Sequence, residues 1–293
     1  MFTALRTLTQ RSSSRICTNC HTILVGQYCH NCGQRKMSLR DFSILHFIGQ
    51  AIDTLTHIDS KFYQSIKYLI VKPGFLSAEF VKGKQIAYMK PVQLFLLINI
   101  IYFFSASILD QKTLTTPLYF HLIGATPYRT MAQSMVSQKI QERGISIEEY
   151  ETHFDKNGAV FSKTLIFIMI PVFALLLQLF YIRAKRFCVE HLVFSIHFFA
   201  FLLVLLIIGL PLFKFAFIGA AALFHYRETI YMEYISTGFI SICLFFYLSI
   251  SLKTFYQQSV VLSAGKSLLL TYSLIWVLWF YRMILFLSCF YTT

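Results

Sequence analysis

The chain has 293 residues, of which 56% belong to the apolar set AVILMFWYC and only 13% are charged, at a mean hydropathy of +0.61. That composition excludes a soluble cytosolic enzyme and announces a membrane protein. Lys and Arg number 26 against 13 Asp and Glu, and in so apolar a chain the +13 balance reads as membrane orientation, with no nucleic-acid partner expected.

Residues 1–16 carry Arg and Ser but no acid and read as a disordered tail; a presequence cleaved just before Cys17 is the alternative. The string CTNCHTILVGQYCHNC then places Cys17, Cys20, Cys29 and Cys32 at C-x2-C-x8-C-x2-C. Each CxxC pair can chelate one ion, and four thiolates complete the closed tetrahedral shell of a structural Zn2+ site, so 17–36 reads as a zinc ribbon. Two disulfides are the competing pairing, disfavoured because such scaffolds belong to oxidising compartments. His21 and His30 are spare ligands or solvated loop residues, while Gly26 and Gly33 suit the tight turns of such knuckles. Cys188, Cys243 and Cys289 lie in or beside apolar stretches, where cysteine acts as a small hydrophobe.

Segment 39–90 reads as amphipathic juxtamembrane helices. Apolar residues recur at Leu45, Ile48, Ile52 and Leu55, then at Phe62, Ile66 and Leu69, which are helical steps too short and too charged to span a bilayer. They are expected on the inner membrane surface or packed under the bundle. Pro73-Gly74 breaks the chain. Lys82, Lys84 and Lys90 follow, each expected to gain on the order of 1 kcal/mol from anionic lipid headgroups. Gly83-Lys84 lacks the remainder of a phosphate loop.

Residues 91–293 form a helical transmembrane domain with spans at 92–109, 164–182, 192–210, 235–252 and 268–287, each near the roughly 20 residues a bilayer core demands. The polar stretch 110–163 between the first two reads as an extracytoplasmic loop. The apolar stretch after Leu210 is short and carries Lys214, so it is expected to be interfacial or re-entrant; were it to span, there would be six helices. With five, one face collects 17 Lys/Arg and the other nine, which puts the N-terminus in the cytoplasm. The fold class is therefore an all-α polytopic membrane protein with a small N-terminal zinc ribbon.

The third span opens with Glu190, His191 and His197. Glu190 and His197 are seven residues apart, within about 20° of one helix face and about 10.5 Å along it, so both can line one cavity without touching. An ionisable group at that depth suggests proton movement, metal binding or solute contact; a histidine bonded to a neighbouring helix is the plainer alternative. Arg282 is expected to snorkel outward beside Trp276, Trp279 and Tyr281.

The ribbon ending in CHNCGQ, the KPG break, the GKQIAYMKP stretch before the first span and EHLVFSIHFFAF on a later one together resemble an uncharacterised family of bacterial multi-pass membrane proteins found in Bacteroidetes-type genomes. The resemblance runs from Cys17 to about Gln258. It implies a zinc-ribbon head on a helical domain in the bacterial inner membrane and carries over no catalytic residue. With neither a nucleophile–base pair nor HExxH spacing, no enzyme activity is expected. Two functions remain. One is a non-enzymatic adaptor or regulator, set in the lipid bilayer, whose ribbon docks a cytosolic protein partner. The other is a small-solute or proton transporter or sensor using Glu190 and His197.

Overall fold

The computed structural model describes residues 16–36, 61–109, 113–124, 126–223 and 232–293. The tail up to residue 15 and the apolar repeat at 45–55 lie outside them. Among the described residues ten α-helices follow the ribbon: α1 (Lys61–Val71), α2 (Phe75–Val81), α3 (Pro91–Ile108), α4 (Leu118–Ile123), α5 (Arg129–Arg143), α6 (Ile147–Phe180), α7 (Cys188–Val204), α8 (Leu210–Leu223), α9 (Met232–Tyr256) and α10 (Val260–Thr292). Strand pairing among the described residues is confined to single antiparallel bridges, Ile16 with Ile23 and Tyr28 with Arg35, both in the ribbon.

Among the described residues five helical stretches are long and apolar enough to cross a membrane: Pro91–Ile108, Ile147–Phe180, Cys188–Gly219, Ile235–Tyr256 and Val260–Thr292. The stretch after Leu210 is not a separate sixth spanning helix among the described residues. A π-helical segment, Leu205–Gly209, joins α7 to α8, so the third helix continues through it. Pro211 has no N–H to give the preceding turn, and the wide π turn lies where that donor is missing.

The polar stretch 110–163 is helical over most of its described residues. Its described residues hold α4, α5 and the start of α6, and the 34 residues of α6 carry the acidic stretch and the second span as one helix of about 51 Å. The helix start was written in the sequence as a capping box: Ser146 Oγ accepts the Glu149 N–H at 3.2 Å, and Glu148 and Glu149 sit in the first turn, where carboxylates favour the helix dipole.

The chain divides into two compact units, Met1–Tyr102 with Ala174–Thr271, and Phe103–Phe173 with Tyr272–Thr293. In the first, α2 packs against both α7 and α9, so the juxtamembrane hairpin is an integral layer of the bundle. Gly74 enters it at φ 79°, and a Cβ there would lie 2.5 Å from the Ser251 carbonyl oxygen on α9. Only a residue without a side chain allows that approach. The Met89 N–H donates to the buried Ser65 Oγ on α1 at 2.9 Å, folding the connector back onto the hairpin.

The second unit has its own core. His121 is fully buried, its Nδ1 is 2.9 Å from the Tyr128 hydroxyl, and its ring packs on Phe154 and Phe286. Asp155 Oδ1 accepts the Leu118 N–H at 2.8 Å, fastening α4 to α6. Arg282 does not snorkel into open water: its guanidinium lies 4.5 Å from the centre of the Phe120 ring. Stacking on an aromatic face suits a guanidinium, which is more weakly hydrated than an ammonium.

Candidate metal centre and the polar contacts beside it

The ribbon is a twofold use of one local pattern. In the first knuckle the Cys17 N–H donates to the Thr22 carbonyl at 2.8 Å and the His21 N–H to the Cys17 carbonyl at 3.0 Å. In the second, Cys29 donates to Gln34 at 2.9 Å and Gly33 to Cys29 at 2.8 Å. The residue after each second cysteine must turn left-handed, and it does: His21 at φ 62° and Gly33 at φ 72°. His21 therefore holds the turn position that glycine fills in the other knuckle.

These turns bring Cys17, Cys20, Cys29 and Cys32 together with all four sulfurs within 4.8 Å of one another. The Cys17–Cys32 and Cys20–Cys29 sulfurs are 3.6 and 3.5 Å apart. A disulfide needs about 2.05 Å. A tetrahedron of metal–sulfur bonds of about 2.3 Å has edges of about 3.8 Å, so the spacing fits one metal ion held by four thiolates. Without a cation, burial pushes the Cys17 thiol up to about 11, whereas the contact with the Thr22 hydroxyl draws the half-buried Cys20 down to about 6. A cation held by all four deprotonates them together.

The head touches the rest of its unit at a specific place. Thr18 Oγ1 donates to the Gly83 carbonyl at 3.3 Å. Gly83, at φ 97°, ends α2 in a Schellman motif: its N–H donates to the Phe80 carbonyl and the Lys84 N–H to the Glu79 carbonyl, both at 3.0 Å. That is the structural use of Gly83-Lys84. The same turn swings Lys84 Nζ to 2.5 Å from the buried Glu79 carboxylate, with Lys82 at 3.1 Å. Burial raises the Glu79 pKa, but the hydrogen bonds from Lys84 and Lys82 outweigh it and hold the carboxyl below its usual range. Two of the three lysines read as lipid-facing thus also neutralise an internal acid, while Lys90 lies directly before α3.

Glu190, His191 and His197 are all buried, each with its own contacts. Arg186 clamps Glu190 Oε2 at 3.0 Å and the Phe255 carbonyl at 2.8 Å. His191 Nδ1 is 2.6 Å from the Tyr256 hydroxyl, and the Tyr256 ring stacks on Tyr181 at 3.6 Å. Gln258 donates to the Tyr181 hydroxyl at 2.6 Å, so the two short connectors, 181–187 and 257–259, meet at one end of this unit. Deeper along α7, His197 Nδ1 bonds Ser77 Oγ of α2 at 2.9 Å. A cavity of about 300 Å³ in the second unit is lined by none of the three. Ser77 and Tyr256 escaped the reading of the sequence; Gly74 was read only as a chain break, not as a point of close approach to α9.

With five helices able to cross a membrane among the described residues and a head of four cysteines placed so that they could hold a metal ion, the all-α chain has the makeup of a multi-pass membrane protein. A family model described as "Protein of unknown function (DUF3667)" matches residues 59–103. That match is narrower than the resemblance from Cys17 to Gln258: it takes in α1, the KPG break, α2, the Schellman turn and most of α3, and leaves out the ribbon. No curated protein and no solved structure matches the chain.

Proposed function

We propose that the chain is a non-enzymatic adaptor or regulator of the bacterial inner membrane, with its N-terminus in the cytoplasm and a Zn2+-folded ribbon that docks a cytosolic protein partner. The observation that carries the reading is the closed cysteine shell: four sulfurs within 4.8 Å leave a tetrahedral ion no position for a substrate. The metal's work is then to fold a module too small to build a core, and its outer surface is what remains for function. That surface presents Val25 at 89%, Ile23 at 66% and Tyr28 at 63% exposure. The cytoplasmic placement rests on the excess of Lys and Arg on the N-terminal face and on the need for reduced thiols. Lys82, Lys84 and Lys90 would then face anionic headgroups of the inner leaflet.

The test uses full-length protein crosslinked in membranes and purified in detergent, as wild type, Cys29→Ser and Val25→Asp. Wild type is expected to hold one zinc per chain and a crosslinked soluble partner. Cys29→Ser loses both while the spans stay inserted; Val25→Asp keeps the zinc and loses the partner. A partner retained by both variants refutes the adaptor reading.

A further inference from the structure

The four cysteines of the ribbon are arranged for a second chemistry. Their sulfurs meet across the two knuckles, Cys20 with Cys29 at 3.5 Å and Cys17 with Cys32 at 3.6 Å. In each pair one residue is half-buried, Cys20 or Cys32, and the other is buried, Cys29 or Cys17. We propose that the ribbon is an oxidant-responsive switch: a hydroperoxide converts the two pairs into disulfides, the bound ion is released and the docking surface is lost. The switch presupposes the Zn2+-folded docking head proposed above and adds its regulation.

Access and proximity are divided as such a switch requires. A redox-responsive cysteine is accessible, held as the thiolate and poised beside a second cysteine that resolves the oxidised sulfur. The half-buried Cys20 and Cys32 supply the access, and the buried Cys29 and Cys17 supply the resolving sulfur while staying clear of over-oxidation. Coordination holds all four as thiolates. Between residues 16 and 36 the chain carries His21, His30, Arg35 and Lys36 but no Asp or Glu, so the sulfurs lie among neutral and positive side chains only. A disulfide needs about 2.05 Å, so each pair has to close by about 1.5 Å, which rotation about the Cα–Cβ bonds covers once no ion holds the sulfurs apart.

In each pair the half-buried sulfur attacks one peroxide oxygen, the O–O bond breaks, and a sulfenic acid and a hydroxide form. The buried thiolate then attacks that sulfur, the S–S bond forms, and the oxygen leaves as a second hydroxide. Four protons from solvent turn the four hydroxides of the two pairs into water, so four thiolates are oxidised and two peroxides are each reduced by two electrons. A disulfide sulfur carries no charge, and the site then offers a cation no thiolate. Two separate crosslinks replace one tetrahedral centre. The exposed strip of Ile23, Val25 and Tyr28, which joins the two knuckles, loses the frame that the ion gave it. Thr18, next to Cys17, bonds the Gly83 carbonyl at 3.3 Å, so the change also reaches the turn that ends α2.

The experiment treats full-length protein with hydrogen peroxide after purification in detergent under reductant and removal of that reductant. Wild type is compared with the double variant Cys188→Ser, Cys243→Ser, in which the remaining cysteine outside the ribbon, Cys289, is fully buried. About two equivalents of peroxide are expected to release one Zn2+ per chain to a metallochromic chelator and to remove four titratable thiols. Peptide mass mapping should find Cys20 joined to Cys29 and Cys17 joined to Cys32; wild type gives the same map and suffices if the double variant does not fold. The crosslinked partner is lost on oxidation, and dithiothreitol with Zn2+ restores it. Zinc retained at about ten equivalents of peroxide, sulfinic or sulfonic acids in place of disulfides, disulfides confined within each CxxC, or a partner crosslink that survives oxidation overturns the switch and leaves the docking head standing. A reduced protein that holds no zinc or captures no partner overturns the docking reading and the switch with it.

Discussion

Replacing Gly74 with alanine tests the claim that the juxtamembrane hairpin is seated in the bundle. Gly74 has φ 79°, and its Cβ would meet Ser251 backbone atoms, the carbonyl oxygen at 2.5 Å and Cα at 2.9 Å. The left-handed conformation costs an L-residue about 1–2 kcal/mol. The contact adds an overpacking cost of about 1–3 kcal/mol, because helix backbone has no rotamer with which to yield. Together these amount to about 2–5 kcal/mol, or a fall of about 4–10 °C in melting temperature at roughly 2 °C per kcal/mol for a chain of this size. Melting of purified protein in detergent reads the effect. Gly238→Ala on α9 is the control, since a Cβ there has nothing within 4 Å and alanine gains up to about 1 kcal/mol in a helix. Ser251→Gly should not rescue Gly74→Ala, because it removes no atom that the new Cβ meets. A Gly74→Ala protein that melts with wild type, or that Ser251→Gly restores, refutes the seating of α2 against α9.

Three further outcomes follow from the same geometry. His21→Gly should keep the full metal content, measured by elemental analysis, because His21 holds a left-handed turn and the four sulfurs complete the shell; loss of metal would make the imidazole a ligand. Ser77→Ala should cost about 1–3 kcal/mol by leaving the buried His197 Nδ1 without its partner, and adding His197→Leu should return part of that loss; a strictly additive double-mutant cycle would show that the pair is not coupled. Burial, with Arg282 adding to it, pushes His121 down to about 4 from 6.5. Between those values the unfolded chain binds a proton that the folded one refuses, so stability is full above pH 6.5 and falls by about 3 kcal/mol as the pH drops toward 4. His121→Phe should flatten that part of a melting-temperature profile, and an unchanged acid slope would assign it to other groups.

The elements most legible in the sequence were those with a one-dimensional cause. Apolar runs near bilayer length gave five spans, and the C-x2-C-x8-C-x2-C spacing gave the cysteine cluster, because chelation by paired knuckles depends on residues a few positions apart. The extent of the helices was harder to read. Lys214 looked like the mark of a membrane-surface segment, yet a π turn carries the helix past it; the acidic start of α6 looked helical, but its continuity with the second span did not show in the pattern.

The sequence alone determined that this chain is helical, apolar enough to span a membrane and able to gather four thiolates, since composition, periodicity and short-range spacing are local properties. Only the tertiary structure decided what its polar residues face. Glu190 and His197 share a helix and nearly a face by periodicity, but Arg186 takes the first and Ser77, 120 positions earlier, takes the second. Lys82 and Lys84 looked like free surface charge until the turn at Gly83 folded them onto Glu79. Helical periodicity says which side chains point the same way; which group waits there depends on how distant helices pack, and a buried polar atom takes whichever partner that packing brings within hydrogen-bond reach.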